Sequence, residues 1–254
     1  MLSPFFRVLQ FQGSYIFHNL KSKMHLSAQC GVSGSKTNGK HKENFTVCVE
    51  GNIASGKTSF LEHFKNNTNV QTFEEPVKKW RDVNGYNALA HLYEDPSRWG
   101  LTLQTYVQLT MLEQHQKKTD KPVKLMERSI YSAKNCFVEN LYISGVMPGL
   151  EYIVLTEWYN WIIKNNHCNV DLLVYLQTKP ETVYNRIKAR NRSEEQNITL
   201  EYLQQLHDLH EEWMVKKAKF SLPSKVLIIP ADKDLEEMYA IYNSREKDIL
   251  CGVS

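Results

Sequence analysis

The sequence predicts an α/β fold: a parallel sheet of five strands flanked by helices, with a phosphate-binding loop after its first strand. Two observations lead there. Five short apolar runs, Phe45–Val49, Val70–Phe73, Val123–Met126, Leu172–Leu176 and Val226–Ile229, are separated by stretches long enough for helices. Strands that alternate with helices pair in parallel and are covered on both faces. The first run leads into Gly51-Asn52-Ile53-Ala54-Ser55-Gly56-Lys57-Thr58, which fits G-x-x-x-x-G-K-[S/T] at every fixed position.

Bulk properties narrow the class. The 254 residues allow one large domain or two small ones with a real core. No run of 18 apolar residues occurs, so no membrane-spanning helix and no membrane partner are expected. The five cysteines are scattered and form no C-x-x-C pair, which argues against a disulfide framework or a cysteine zinc site and for a reducing compartment. Residues 1–42 carry six basic and no acidic side chains; with a formal net charge of +3, the remainder stands at −3. A mildly acidic body does not suggest a nucleic-acid partner.

Residues 1–44 read as a leader and 45–254 as the folded domain. The first 29 residues mix Phe5, Phe6, Phe11, Ile16 and Phe17 with basic residues, Ser and Gln, the composition of a transit peptide for the mitochondrial matrix. A disordered tail, or an alternative N-terminus that is never imported and leaves the protein cytosolic, are the competing readings. The Gly/Ser/Lys-rich stretch 30–44 reads as a flexible linker.

Taken in order, the first element after the leader is the strand, loop and helix of the phosphate site. Glycines let successive N–H groups point inward at an anion, and the helix starting at Ser59, with Phe60, Leu61 and Phe64 on one face, turns its positive end toward the phosphates. Lys57 supplies a point charge and Thr58 a hard oxygen for Mg²⁺. A nucleoside triphosphate site follows. Further helices are expected over 87–93, 99–117, 130–143, 150–165, 181–190, 199–219 and 234–243. In 150–165, Leu155, Trp158, Trp161 and Ile162 form a stripe that suits the core or a paired-helix dimer.

Ligands of parallel sheets bind at the carboxyl ends of strands, and polar clusters follow three of them here. After the second strand, Glu75 precedes Pro76 and is either the base for a substrate hydroxyl or part of a surface turn. Glu127-Arg128-Ser129 follows the third. There Arg128 can bind a phosphoryl oxygen or orient Glu75, and Glu127 can hold Mg²⁺ through water, or the two form a structural ion pair. Beyond the fourth, Arg186, Arg190, Arg192, Glu194 and Glu195 read as a helical lid over phosphates or as a solvated charge run. Trp80, Tyr93, Gln104 and Phe137, singly more often core, can together sandwich a base and hydrogen-bond to it.

The motifs at Gly51–Thr58, Glu75-Pro76-Val77 with Trp80, Asp95-Pro96, Gln104, Glu127-Arg128-Ser129, Phe137-Val138-Glu139-Asn140 and the 186–195 segment, in that order, resemble the deoxyribonucleoside kinase family across residues 45–243. The resemblance implies a P-loop kinase fold, usually a homodimer, that passes the γ-phosphate of ATP to the 5′-hydroxyl of a deoxynucleoside with Mg²⁺. It implies Glu75, Arg128 and Lys57 as catalytic residues. It implies ATP binding by Gly51 through Ser59 with Arg190 and Arg192, and metal binding by Thr58 and Glu127. Gln104 is implied to pair with a pyrimidine edge, Trp80 and Phe137 to flank the base, and Tyr93 and Glu195 to hold the 3′-hydroxyl. In the deoxycytidine kinase branch a charged pair stands where this chain has Met111 and Ala133; with Val107, these neutral residues imply that thymidine, deoxyuridine and deoxycytidine are accepted and purines are poor. The rival readings are a nucleoside monophosphate kinase, which needs no base for its anionic acceptor, and a non-catalytic nucleotide-binding regulator.

Overall fold

The computed structural model describes residues 44–253. The transit-peptide and linker readings lie outside the described residues, except at Asn44. Its side-chain amide donates to the carbonyls of Thr119 and Lys121 at 2.6 and 2.7 Å, so Asn44 belongs to the folded body.

Five parallel strands, β1 Phe45–Glu50, β2 Val70–Phe73, β3 Val123–Glu127, β4 Leu172–Gln177 and β5 Lys225–Pro230, form one sheet in the order β2-β3-β1-β4-β5. Each expected strand is present, extended by at most one residue at an end. Residues of β1 alternate between two cores. Val47 and Val49 join Phe60, Leu61, Met238 and Tyr242 on one face of the sheet. Cys48 joins Met126, Leu173, Tyr175 and Trp213 on the other. β1 is central, and the chain leaves it for β2 and β3 on one side and β4 and β5 on the other. The carboxyl ends around β1 are therefore the topological switch point where a ligand crevice opens.

The helices are α1 Lys57–Phe64, α2 Val77–Arg81, α3 Ala88–Glu94, α4 Pro96–Gln116, α5 Ile130–Ser132, α6 Glu139–Ile143, α7 Gly149–Asn165, α8 Pro180–Arg190, α9 Leu200–His210, α10 Leu235–Ser244 and α11 Glu246–Ile249. The Asp95-Pro96 pair is a helix start: the Asp95 carboxylate accepts from Arg98 N at 3.1 Å and Pro96 fills the first turn, so α4 begins three residues earlier than expected. α2 and α11 were not anticipated, being too short for a period to register. The segment expected as one helix over 130–143 is α5 and α6 joined without a break by a π stretch, Ala133–Val138. The helix expected to run to 219 passes from α9 into a second π stretch, Glu211–Val215, and stops there. On α7 the expected stripe divides: Leu155 and Ile162 are buried, Trp158 and Trp161 are half exposed.

Candidate active site

The loop after β1 is built for an anion by its backbone. Gly51 has φ +144°, and a Cβ there would stand 2.8 Å from the carbonyl oxygen of Leu176. Gly56, at φ +99°, caps α1 without any side-chain hydrogen bond, which leaves the first N–H groups of that helix open to a ligand. Lys57 is buried, and its ammonium folds back to donate to the carbonyls of Asn52 at 2.7 Å and Gly51 at 3.3 Å. Burial, followed by the nearby Arg128, brings the Lys57 pKa down to about 7, while Glu127, Glu75 and Glu50 oppose that shift. The Asn52 amide donates to Leu203 O at 2.8 Å and so ties the loop to α9.

Arg128, directly after β3, joins the loop to the acceptor side. Its backbone takes the left-handed conformation, φ 61°, which a side chain other than glycine rarely adopts. One guanidinium nitrogen donates to Gly51 O at 2.9 Å. Nε lies 3.1 Å from Glu75 Oε1, a close ion pair in which the N–H points off the oxygen. The guanidinium also sits 4.7 Å over the Phe137 ring. The Glu75 side chain is only 16% exposed. Burial, with Glu127 adding to it, raises its pKa above the usual glutamate value, against the pull of Arg128 and Lys57. The Thr58 hydroxyl donates to Glu127 Oε1 at 3.1 Å, which brings a hydroxyl and a carboxylate together beside the loop.

The opposite wall comes from helices. Gln104, Val107 and Met111 recur along α4 at helical spacing and are all buried. Gln104 Oε1 meets no hydrogen-bond donor among the described residues. Trp80 of α2 donates to the Thr110 hydroxyl at 2.9 Å, which pins α2 onto α4. Ala133 and Phe137 sit on the first π stretch. Tyr93 of α3 is kept un-ionised by burial, with Tyr202, Glu195 and Glu75 adding to the effect. In the turn after α8, Arg190 holds Glu195 with two nitrogens, the closest contact 2.7 Å, and Arg192 approaches it at 3.4 Å. Arg81 Nε donates to Glu194 Oε1 at 2.8 Å, linking that turn to α2. Arg186 instead anchors α8 to the Ala231 and Lys233 carbonyls, so it has a structural bond as well as a place on the rim.

These groups surround a single cavity of about 850 Å³. Ile53 through Ser59, Glu75, Trp80, Tyr93, Gln104, Val107, Met111, Glu127, Arg128, Ala133, Phe137, Arg190, Arg192 and Glu195 all line it. Gly51 and Asn52 lie just behind, shaping the loop without lining the space. Sequence reasoning missed Tyr202 and, in the turn after β5, Ala231, Lys233, Asp234 and Leu235. The turn was findable: it follows the carboxyl end of β5, the rule that located the other clusters.

Fold and cavity define a P-loop phosphotransferase: a triphosphate cradle faces a buried carboxylate across one crevice. Comparison with known proteins sharpens this. The family model described as deoxynucleoside kinase matches residues 47–250. The chain is 55% identical over 204 residues to human "Thymidine kinase 2, mitochondrial", which covers 80% of this chain and 77% of the relative. It is 51% identical over 222 residues to the protein of that name from Macaca fascicularis, covering 87% and 84%, and 35% identical over 236 residues to human "Deoxycytidine kinase", covering 80% and 90%. The chain belongs to the deoxynucleoside kinase family, and it is a kinase that uses ATP and a nucleoside.

Proposed function

We propose that the protein transfers the γ-phosphate of ATP to the 5′-hydroxyl of pyrimidine deoxynucleosides, namely thymidine, deoxycytidine and deoxyuridine, in nucleotide salvage for mitochondrial DNA synthesis. One observation carries this reading: Glu75 and Lys57 line the same cavity, and Arg128 touches both Glu75 and the loop. A hydroxyl acceptor must lose a proton, which a carboxylate can take; the acceptor of a monophosphate kinase is already anionic and calls for cations instead. The similarity to proteins named as thymidine and deoxycytidine kinases supports the same choice.

In this mechanism Glu75 takes the proton of the 5′-hydroxyl as the new O–P bond forms and the bond from the γ-phosphorus to its bridging oxygen breaks. Its raised pKa suits a base working near neutral pH. Lys57 and the N–H groups at the start of α1 hold the phosphates. Arg128 neutralises charge beside the 5′-oxygen, and Arg190 and Arg192 do so from the lid. The Thr58 hydroxyl and Glu127 carboxylate, 3.1 Å apart, are the hard oxygen donors that Mg²⁺ prefers. When bound, Mg²⁺ supplies further charge neutralisation on the phosphates.

Gln104, whose buried oxygen meets no donor among the described residues, reads the pyrimidine edge; Trp80 and Phe137 flank the ring. Val107, Met111 and Ala133 form an uncharged wall that accepts the thymine methyl. Tyr93 and Glu195 hold the 3′-hydroxyl, and the turn Ala231–Leu235 with Arg186 borders the end left for the donor base. A homodimer is supported by the apolar face of α7, where Leu150, Ile153, Val154, Trp158 and Trp161 are exposed. No partnership with nucleic acid or membrane enters this reading; among the described residues no helix is long and apolar enough to cross a membrane. Matrix localisation is supported by the composition of residues 1–29 and by relatives named as mitochondrial.

The test is ATP consumption with thymidine, deoxyguanosine, dCMP or no acceptor. Turnover with thymidine alone among these is expected. Preference for dCMP would favour a monophosphate kinase, higher kcat/KM for deoxyguanosine would overturn the pocket assignment, and silence with every acceptor would favour a regulator. Mapping the mature N-terminus of the protein from mitochondria tests the location.

A further inference from the structure

Glu50, the last residue of β1, has no place in the mechanism above, yet it is fully buried next to the parts that do. It is 0% exposed. Its Oε1 accepts the Ser129 hydroxyl at 2.5 Å, while Oε2 meets no donor among the described residues. A carboxyl group out of water with one hydrogen-bond partner is unfavourable for folding, so its contribution must be sought in what that partner does. Ser129 is the residue after Arg128. Its Oγ also accepts from Ser132 N at 3.4 Å, which caps α5 and fixes the start of the segment leading to Ala133 and Phe137. Arg128 itself sits at φ 61°, with its N–H held by Val49 O at 2.9 Å and its guanidinium by Gly51 O at 2.9 Å. The strained residue is thus clamped from three sides, and Glu50 provides the third clamp through Ser129.

We propose that Glu50 is a positioning residue for phosphoryl transfer: by holding the Ser129 hydroxyl it fixes the left-handed turn at Arg128 and so aims the guanidinium at Glu75 and the phosphate loop. This inference rests on the role given to Arg128 under the proposed function. The charge relations agree with the geometry. Burial pushes the Glu50 carboxyl up to about 7, and Arg128 is the strongest influence holding it down, ahead of the hydroxyls of Ser129 and Ser132, the latter of which donates to Ser129 O at 3.0 Å. Loss of the Glu50 side chain still leaves the Ser129 hydroxyl to cap α5, and with it the nucleoside wall, the cradle and Glu75 in place, so the defect falls on the step and not on binding. A misplacement of the order of 1 Å at a charge-stabilising group costs about 10²-fold in rate.

The experiment compares Ser129→Ala, Glu50→Ala, Glu50→Gln and Arg128→Gln, measuring kcat, equilibrium thymidine affinity and thermal midpoint. Ser129→Ala and Glu50→Ala are expected to lower kcat by about 10- to 100-fold with thymidine affinity within about threefold. Both remove the Glu50–Ser129 bond and Ser129→Ala also removes the cap on Ser132 N, so Ser129→Ala is expected to be the poorer single variant and the double variant no worse than it. Glu50→Gln, which keeps an acceptor at Oε1, is expected to recover most of the loss. If Glu50→Ala does not fold, Ser129→Ala and Glu50→Gln still decide. Normal kcat in Ser129→Ala with an impaired Arg128→Gln would overturn this inference alone. Affinity falling in step with kcat, or Glu50→Gln as poor as Glu50→Ala, would overturn it too. Normal kcat in Arg128→Gln would instead overturn the reading of Arg128 on which it rests.

Discussion

The two ends of the cavity are made differently. The donor end centres on one contiguous stretch, Gly51 to Ser59, where backbone N–H groups and a helix terminus work beside the Lys57 and Thr58 side chains, with the lid arginines added from α8 and the turn after it. The acceptor end is assembled from seven regions, the ends of β2 and β3, α2, α3, α4, the π stretch after α5 and the turn after α8, and its work is done by side chains brought together only by folding. A backbone cradle is specified locally and tolerates changes around it. A wall of side chains is specified globally, and each of its members depends on the packing of its own helix. Substitutions should therefore separate cleanly into those that damage the donor end and those that damage the acceptor end.

The largest separation is expected from Glu75→Gln. It removes the base and should lower kcat by about 10²–10⁴-fold, with thymidine and ATP affinities nearly unchanged; single-turnover kinetics beside equilibrium binding checks it. Next is Gly51→Ala. The added Cβ would meet Leu176 O at 2.8 Å and Ser55 Oγ at 2.7 Å on a backbone at φ +144°, so the loop must shift. ATP affinity should fall by about 10-fold or more and stability by about 1–3 kcal/mol, with thymidine affinity retained, as calorimetry with each ligand would show.

The pH dependence should sharpen the comparison further. Burial raises the Glu75 pKa, and the base works only when ionised, so activity is lost as pH falls through that raised value. The acid limb of the kcat/KM profile should lie above the ordinary glutamate range and descend tenfold per pH unit. An acid limb at the usual glutamate value, or none, would show that a different group sets it. The smallest effect is expected from Arg81→Gln, which cuts the link between α2 and the lid turn. The Arg81 side chain is about one-third exposed, so screening limits the pair to about 0.5–1 kcal/mol, a two- to fivefold rise in thymidine KM with little change for ATP.

The same contrast explains what the sequence made legible. The strands and the cradle could be read because their signals are contiguous: β-branched runs and an eight-residue pattern. Val107 and Met111 were reached only through the family resemblance, because each is core and cavity lining at once, which composition cannot separate. The Arg81–Glu194 link joins residues 113 apart, and no local pattern announces such a pair. Trp158 and Trp161 looked like partners of Leu155 and Ile162, but apolarity does not say which neighbour a side chain faces, and the tryptophans turn outward. Nor does the 3.6-residue period betray a widened turn, so the interruptions at Ala133–Val138 and Glu211–Val215 passed unseen.

The widened turn from Ala133 to Val138 has a consequence for how this pocket could be altered by insertion or deletion. Each residue advances an ordinary helix by about 100° around its axis. Removing one residue there, and so tightening the turn, would rotate the aromatic ring at 137 away from the small side chain at 133. One lost codon would redraw the outline that a nucleobase meets while every strand kept its register.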